Sequence, residues 1–205
     1  AMAPLTGRSG ELATITRAIE RARGGEAQTV ALVGEPGIGK SRLAAEAAAE
    51  ATRAGCFVLW GRAWEAGGAP AYWPWRQLAA TLPRDRIAGL WSGPGAATDP
   101  EQARFELFDG VAQTVAEHAR KAPLLCIFDD LHAADVPSLE LVGFATRHLR
   151  TSPVVWLVTW RDAEGSHARV RDQLSRIARE ATVHRLGGLD EAASNALIES
   201  GFAGA

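Results

Sequence analysis

The segment around residues 30–43 constrains the fold of this chain more than any other. Four apolar residues at 30–33 precede Gly34, Gly39, Lys40 and Ser41, which stand in the spacing G-x-x-x-x-G-K-[ST], and an alanine-rich run of helical character follows. In this pattern the glycines let backbone N–H groups surround a phosphate, and the start of the helix adds partial positive charge. The segment therefore predicts a buried strand, a phosphate-binding loop and a helix, in that order.

Residues of this loop have expected roles toward a bound nucleotide. Lys40 should reach the β- and γ-phosphates, and the Ser41 hydroxyl should ligate Mg²⁺. The alternative is an ordinary glycine-rich turn followed by a lysine, but the chain has only two lysines, Lys40 and Lys121, so a lysine here is informative. The predicted ATP- or ADP-binding residues of this segment are Glu35, Pro36, Gly37, Ile38, Gly39, Lys40, Ser41 and Arg42.

The composition indicates an ordinary soluble domain and disfavours two classes of partner. The chain has 205 residues, of which 47% are apolar and 22% charged, and its net charge is −2. This balance offers no electrostatic case for nucleic-acid or membrane-surface binding, and no apolar run approaches the roughly 18 residues of a membrane span. We expect a cytoplasmic protein in which this segment contacts neither nucleic acid nor membrane.

The cysteines and histidines do not suggest a metal centre. Cys56 and Cys126 lie in apolar, strand-like runs, which favours buried reduced thiols over a disulfide or a metal role. The five histidines have no metal-ligand spacing with the cysteines or with one another. We therefore expect no structural zinc.

Apolar periodicity predicts five buried strands that alternate with helices. Because such a chain requires a parallel sheet with right-handed crossovers, we expect a three-layer α/β fold. The strands are predicted at 30–33, 56–60, 124–128, 154–159 and 181–186. Helices are predicted at 40–53, 139–149 and 170–177, and between Ser9, as N-cap, and Gly24. Three more are predicted to begin near Pro74, at Asp99 as N-cap, and at Asp190. Residues 87–98 are predicted to form an irregular insertion. The helix that follows Asp99 should bury an apolar stripe of Phe105, Phe108, Ala112, Val115 and Ala119.

Aromatic residues are concentrated between positions 60 and 75. Such a cluster could stack nucleic-acid bases or dock a partner, but the only basic residues nearby are Arg62 and Arg76. We favour a satellite core that fixes a long loop, with a partner or lid surface as the alternative. The cluster consists of Trp60, Trp64, Tyr72, Trp73 and Trp75.

Two acids follow the strand predicted at 124–128. Asp129 and Asp130 would stand at the carboxyl end of a parallel strand, where α/β sheets bind ligands, on the same edge as the phosphate loop. We assign Asp129 to the Mg²⁺ shell and Asp130 to orienting or activating the attacking water. The alternative is a pair of strand-end acids that merely begin a loop.

A polar pair follows the strand predicted at 154–159 in the same way. Thr159 and Arg161 could present a sensor to the γ-phosphate, whereas the alternative is an arginine paired with Asp162 at the start of a loop. The predicted catalytic residues are therefore Lys40, Asp130 and Arg161, and the predicted metal ligands are Ser41 and Asp129.

Four separated motifs together resemble the STAND class of P-loop ATPases, close to AAA+ proteins. The resemblance is strongest to the ATPase modules of LuxR-type and MalT-like bacterial transcription regulators, and it covers essentially the whole chain. The segment 5–11 is similar to the family's N-terminal hhGRxxE, 34–41 to its phosphate loop, 124–130 to its Walker B motif and 159–161 to its T-x-R sensor.

The resemblance implies a P-loop NTPase fold of the ASCE/AAA+-like kind, with a five-stranded parallel sheet in the order 5-1-4-3-2. It also implies that Gly7, Arg8 and Glu11 lie near the adenine and ribose. Residues 1–205 would form one nucleotide-binding ATPase domain, in which 1–3 resemble an expression scar. Little of the family's helical lid, winged-helix domain, effector-sensing repeats and DNA-binding helix-turn-helix fits after Asp190, so we expect hydrolysis by this chain to be slow.

The function that this resemblance implies is a nucleotide-operated regulatory switch. ADP would hold a closed monomer, ATP·Mg²⁺ with an inducer would favour self-association, and hydrolysis would reset the switch; other domains of the parent chain would be further partners. Two other classes remain open: a small-molecule phosphotransferase, and a nucleotide-stabilised interaction module without turnover. The acidic balance and the lack of a basic stripe disfavour a DNA-translocating motor.

Overall fold

A five-stranded parallel sheet forms the centre of the computed structural model, which describes residues 7–82, 99–162 and 167–188. The strand order is β2-β3-β4-β1-β5, which read from the opposite edge is the predicted order 5-1-4-3-2. All four strand pairings are parallel, as the alternation of strands and helices requires. The strands are β1 (Gln28–Gly34), β2 (Phe57–Arg62), β3 (Leu124–Asp129), β4 (Val154–Trp160) and β5 (Thr182–Leu186).

Helices cover both faces of this sheet and complete the predicted three layers. They are α1 (Ser9–Arg23), α2 (Lys40–Arg53), α3 (Trp73–Ala80), α4 (Pro100–Ala119), α5 (Val136–His148) and α6 (Ala168–Arg179), and a 3₁₀ turn spans Leu131–Ala133. Side chains of a strand alternate between faces, so Val30 and Leu32 of β1 pack with α1 and α2. Ala31 and Val33 pack in the core formed with the other four helices.

The larger core is built around three aromatic side chains. The ring centroid of Trp75 lies 4.6 Å from that of Phe128 and 6.0 Å from that of Trp156. The buried indole of Trp75 donates to the carbonyl oxygen of Ser138 at 3.1 Å, so its polar atom is satisfied. The aromatic residues predicted as a satellite core are therefore divided: Trp75 belongs to the main core, whereas the Trp64 side chain is 55% exposed.

Three local predictions were wrong, each for a positional reason. The second strand was expected to be fully buried, but among the described residues β2 pairs with β3 alone and lies at the edge of the sheet, and Phe57 is exposed. Phe105 is also exposed, because it packs edge-on against Phe144 at the rim of the helical layer instead of facing the sheet. Arg8, not Ser9, occupies the N-cap of α1, where its carbonyl oxygen accepts from the Leu12 amide at 3.1 Å.

Other predicted features are confirmed in the described residues. The Asp99 side chain caps α4 by accepting from the Glu101 amide at 3.1 Å. Cys56 and Cys126 are buried free thiols, and burial raises the pKa of both.

The insertion at 87–98 and the helix expected from Asp190 lie outside the described residues. Within the described part of the chain, none of the helices has the length and apolar character needed to cross a bilayer.

Candidate functional site

The predicted phosphate loop lies between the end of β1 and the start of α2. Gly39 has a φ of 101° and forms the N-cap of α2, so a side chain there would be strained and no side chain caps the first amide groups of the helix. At the base of the loop, a Cβ on Gly34 would lie 2.7 Å from the carbonyl oxygen of Leu186. Glycine at position 34 therefore allows β1 and β5 to approach each other beneath the loop.

Lys40 is buried against its own loop. Its ammonium group donates to the carbonyl oxygens of Gly34 and Glu35, both at 2.8 Å. Burial lowers the pKa of Lys40; the negative charge of Asp130 opposes this shift and the positive charge of Arg161 adds to it. Asp130 and Arg161, the other two predicted catalytic residues, are thus both close enough to Lys40 to act on it electrostatically.

A chain of hydrogen bonds connects the loop to two neighbouring strands. One carboxylate oxygen of Asp129 accepts from the Ser41 hydroxyl at 3.0 Å and from the Thr159 hydroxyl at 2.6 Å. Thr159 Oγ1 in turn accepts from the backbone amide of Asp130 at 3.0 Å. The Ser41 hydroxyl and the Asp129 carboxylate, the two predicted metal ligands, lie side by side, and both are oxygen groups of the kind that Mg²⁺ binds.

Asp130 forms an ion pair that the sequence did not reveal. Its carboxylate accepts from Arg62 Nε at 3.1 Å and from Arg62 Nη2 at 2.8 Å, and Arg62 Nε also lies 3.6 Å from the Asp129 carboxylate. The hydrogen bond to Asp130 raises the pKa of Arg62. Arg62 ends β2 and pairs in register with Asp129. A basic residue at the carboxyl end of a strand adjacent to the acids is the signal that could have identified it.

Arg161 is held by a second ion pair at the same edge of the sheet. Its guanidinium donates to Glu65 Oε1, and the same carboxylate oxygen lies 3.2 Å from His132 Nε2. The alternative pairing of Arg161 with Asp162 is not the one observed, since Asp162 accepts from Arg185 at 2.8 Å. Neither Glu65 nor His132 stood out in the sequence, because each lies in a connection whose approach to Arg161 depends on the fold.

These side chains form an ion-pair cluster at the mouth of the site. Ligand atoms of Glu65, Asp130 and His132 lie within 4.8 Å of one another, a spacing that a metal ion could span. The guanidinium group of Arg62 already pairs with the Asp130 carboxylate, and that of Arg161 pairs with the Glu65 carboxylate. A further cation would be repelled by both arginines, so we interpret the cluster as ion pairs.

Arg8 anchors the N-terminal segment beside the loop. Its side chain is buried and donates to the carbonyl oxygen of Gly187 and, at 3.2 Å, to the Glu11 carboxylate. Gly187 follows Leu186, which pairs in register with Gly34. The predicted nucleotide residue Arg8 therefore lies on the same edge of the sheet as the phosphate loop, next to β5.

A cleft of about 990 Å³ opens beside the loop, between the carboxyl ends of β1, β4 and β5 and one side of α6. Its size is that of a small-molecule site. Its polar lining includes Glu35, Arg161, Asp162, Arg171, Ser175 and Arg185.

Comparisons with known proteins relate both the sequence and the fold to ATPases. Residues 4–158 match the family model described as AAA ATPase domain, whereas none of the curated proteins matches the chain. Among solved structures, the Aeropyrum pernix ORC2 protein, in its ADPNP–ADP complexes, has a TM-score of 0.64 and 16% identity over 94% of this chain and 50% of that one. AMPPCP-bound DnaA from Aquifex aeolicus has a TM-score of 0.54 and 15% identity over 99% of this chain and 53% of that one. Domain III of Thermotoga maritima DnaA has a TM-score of 0.53 and 11% identity over 97% of this chain and 69% of that one.

These similarities bear on the fold. At 11% to 16% identity they establish a shared architecture and nothing about partners or regulation. The chain spans about half the length of the first two of these structures.

Proposed function

Since this chain belongs to the AAA ATPase domain family and is therefore a nucleotide-binding domain, we propose that it binds ATP or ADP with Mg²⁺ and hydrolyses ATP slowly. The observation that carries the proposal is the hydrogen-bonded chain Ser41–Asp129–Thr159 beside the buried ammonium group of Lys40. It joins the phosphate loop to the carboxyl ends of β3 and β4, where a triphosphate and its metal would lie.

The loop would bind the phosphates through its backbone and through Lys40. Apart from Pro36, which has no N–H, residues 35–42 would direct amide groups to the phosphate oxygens. The ammonium group of Lys40 would exchange the carbonyl oxygens of Gly34 and Glu35 for the β- and γ-phosphates. Ser41 and Asp129 would hold the Mg²⁺, which supplies positive charge against the phosphates. Arg8, anchored to Gly187, would lie toward the ribose and adenine.

Asp130 is the residue proposed to orient the attacking water. The water oxygen bonds to the γ-phosphorus as the bond to the ADP oxygen breaks, and the water proton passes to the Asp130 carboxylate. Arg161 would contact the γ-phosphate oxygens, where its charge stabilises the transition state. Because Arg62 occupies the Asp130 carboxylate in the structure, the base must first be released, which supports slow turnover.

We propose further that the domain acts as a switch in a signal-responsive transcriptional regulator. This role rests on the resemblance to STAND ATPases. Its physical basis is that a γ-phosphate can bridge Lys40 and Arg161, whereas ADP cannot make both contacts. Other domains of a longer parent chain and ATP-dependent self-association would then convey the state of the site.

Calorimetric titration with ATP·Mg²⁺ and with ADP·Mg²⁺ tests the binding site. We expect micromolar binding that Lys40→Ala abolishes, because the buried ammonium group is the principal phosphate contact. Lys121→Ala is the matched control, since it removes the other lysine of the chain from an exposed position at the end of α4. Equal binding by Lys40→Ala and the wild type would refute the proposed site.

The Arg62–Asp130 pair also favours a second candidate, a nucleotide-stabilised module without turnover. Phosphate release from ATP distinguishes the two functions. A slow release that Asp130→Asn reduces at least about tenfold supports the ATPase. Release that is no faster than in the Lys40→Ala variant supports the module. If ADP forms only when a small-molecule acceptor is added, the domain is a phosphotransferase.

A further inference from the structure

Glu65 lies at the centre of the contacts made by the γ-phosphate sensor proposed above. It belongs to the connection between β2 and α3, residues 63–72, and its side chain is about half exposed. One of its carboxylate oxygens accepts from Arg161 and lies 3.2 Å from His132 Nε2. A single carboxylate thus joins the β2–α3 connection to the ends of β3 and β4.

The two donors fix this carboxylate from different elements. His132 lies in the 3₁₀ turn that follows Asp130, and its side chain is only 12% exposed. Burial lowers the pKa of His132 and the positive charge of Arg161 lowers it further, against the opposing effects of Asp130 and Glu65, and the lowered pKa favours the neutral imidazole. A neutral ring that carries its hydrogen on Nε2 donates to Glu65 and leaves the carboxylate its full negative charge for Arg161.

An arginine held in this way faces two competing anions. Its counter-ion in the structure is Glu65, and in an ATP complex the γ-phosphate would present an alternative with more charge and more acceptor oxygens. ADP lacks the γ-phosphate and leaves the pair undisturbed. Contact with Glu65 therefore opposes ATP binding and has no such effect on ADP binding.

We propose that Glu65 is a positioning residue that holds Arg161 until a γ-phosphate replaces it, and that it thereby sets the relative affinity for ATP and ADP. This inference rests on the proposed function. When Arg161 turns to the γ-phosphate, Glu65 keeps its contact with His132 but loses its ion pair with Arg161, so the connection at residues 63–72 is held less firmly. Its neighbour Trp64, whose side chain is exposed, then changes its environment.

The affinities of Glu65→Gln for the two nucleotides test the proposal. The substitution keeps the size of the side chain and removes its charge, so ATP should bind roughly three- to fivefold more tightly, as expected for loss of a half-exposed ion pair. The affinity for ADP should change less than twofold. Glu20→Gln, an equal charge change at an exposed position on α1, is the matched control and should leave the ratio unchanged.

The Arg161→Ala background separates positioning from a general structural effect. If Glu65 acts through Arg161, then Glu65→Gln has no effect on the ATP-to-ADP ratio in that background. The proposal would be overturned if Glu65→Gln changed the ATP-to-ADP affinity ratio equally with and without Arg161. It would also be overturned if Glu65→Gln changed the two affinities equally, weakened ATP binding, or changed neither affinity. If the wild type and Lys40→Ala bind neither nucleotide, the proposed function fails and the inference fails with it.

Fluorescence provides a second measurement that does not depend on affinity. A non-hydrolysable ATP analogue with Mg²⁺ should change the tryptophan emission, ADP·Mg²⁺ should not, and Trp64→Phe should remove the difference. The same change with ADP, or its persistence in Arg161→Ala, would contradict release of Glu65 by the γ-phosphate.

Discussion

Thr159 illustrates at the scale of a single residue how a buried hydroxyl can organise two acids. Its oxygen donates to Asp129 and accepts from the Asp130 amide, and the residue is fully buried. Thr159→Val keeps the shape of the side chain and leaves that amide without its partner, so we expect a loss of roughly 1–3 kcal/mol in the free energy of unfolding. Urea denaturation measures this loss, and weaker Mg²⁺-dependent ATP binding should accompany it.

Thr146→Val is the control for that substitution. Thr146 is also a buried threonine, but its hydroxyl donates only to a carbonyl oxygen in its own helix, Gly143 O at 3.2 Å. We expect it to cost less than about 1 kcal/mol and to leave nucleotide binding intact. Equal losses in the two variants would mean that the bridge to Asp129 and Asp130 adds nothing to stability.

Lys40 makes nucleotide binding dependent on pH. Burial lowers its pKa from the ordinary value of 10.5, and a bound phosphate would favour the charged ammonium and raise the pKa again. Between the two pKa values, binding takes up a proton, so affinity for ATP should fall as the pH rises from the lowered pKa of Lys40 in the free domain toward its pKa in the complex. Titrations at one alkaline pH in two buffers of different ionisation enthalpy measure the uptake. An observed enthalpy independent of the buffer would contradict it.

At the scale of the element, the end of β2 is fixed by the start of α3. A Cβ on Gly61 would lie 2.1 Å from the carbonyl oxygen of Pro74, and Gln77 donates to Arg62 O at 2.7 Å. Gly61→Ala should therefore lower the free energy of unfolding by roughly 1–3 kcal/mol, because the backbone must move to admit the methyl group. Gly10→Ala is the control, since Gly10 lies in α1 with no heavy atom near its ideal Cβ. Urea denaturation of both variants checks the prediction, and equal stability of the two would refute it.

The arrangement of the elements explains which contacts of the site could be predicted from the sequence and which could not. Asp129 and Thr159 could be placed together because parallel strands end at one edge of the sheet and their polar residues follow apolar runs. Arg62 carried a usable signal, its position at the carboxyl end of the strand beside the acids. Glu65 and His132 carried none, because their contacts depend on the path of the β2–α3 connection and of the turn after β3. Burial of β2 was overestimated for a related reason: an apolar run does not reveal whether its strand is central or at an edge.

At the scale of the whole molecule, the site joins parts of the chain that are far apart in sequence. Ser41 meets Asp129 across 88 positions, Arg161 meets Glu65 across 96, and Arg8 meets Gly187 across 179. Each contact closes a long loop, so a ligand that engages several of them stabilises the complete domain and not one segment. Nucleotide binding should therefore be visible in global unfolding.

Thermal unfolding with and without Mg²⁺ tests this coupling. At a nucleotide concentration 100 times Kd, binding to the folded state adds about 2.7 kcal/mol, which for a domain of this size raises Tm by roughly 5–11 °C. Chelation of Mg²⁺ should reduce the shift for ATP more than the shift for ADP, because Ser41 and Asp129 would bind the metal together with the outer phosphates. Lys40→Ala should melt at the same temperature with and without nucleotide, and Lys121→Ala should behave as the wild type does. If the increase in Tm caused by ATP is unchanged after chelation of Mg²⁺, Ser41 and Asp129 do not bind a metal ion with the nucleotide. The binding energy would then come from Lys40 and the loop amides.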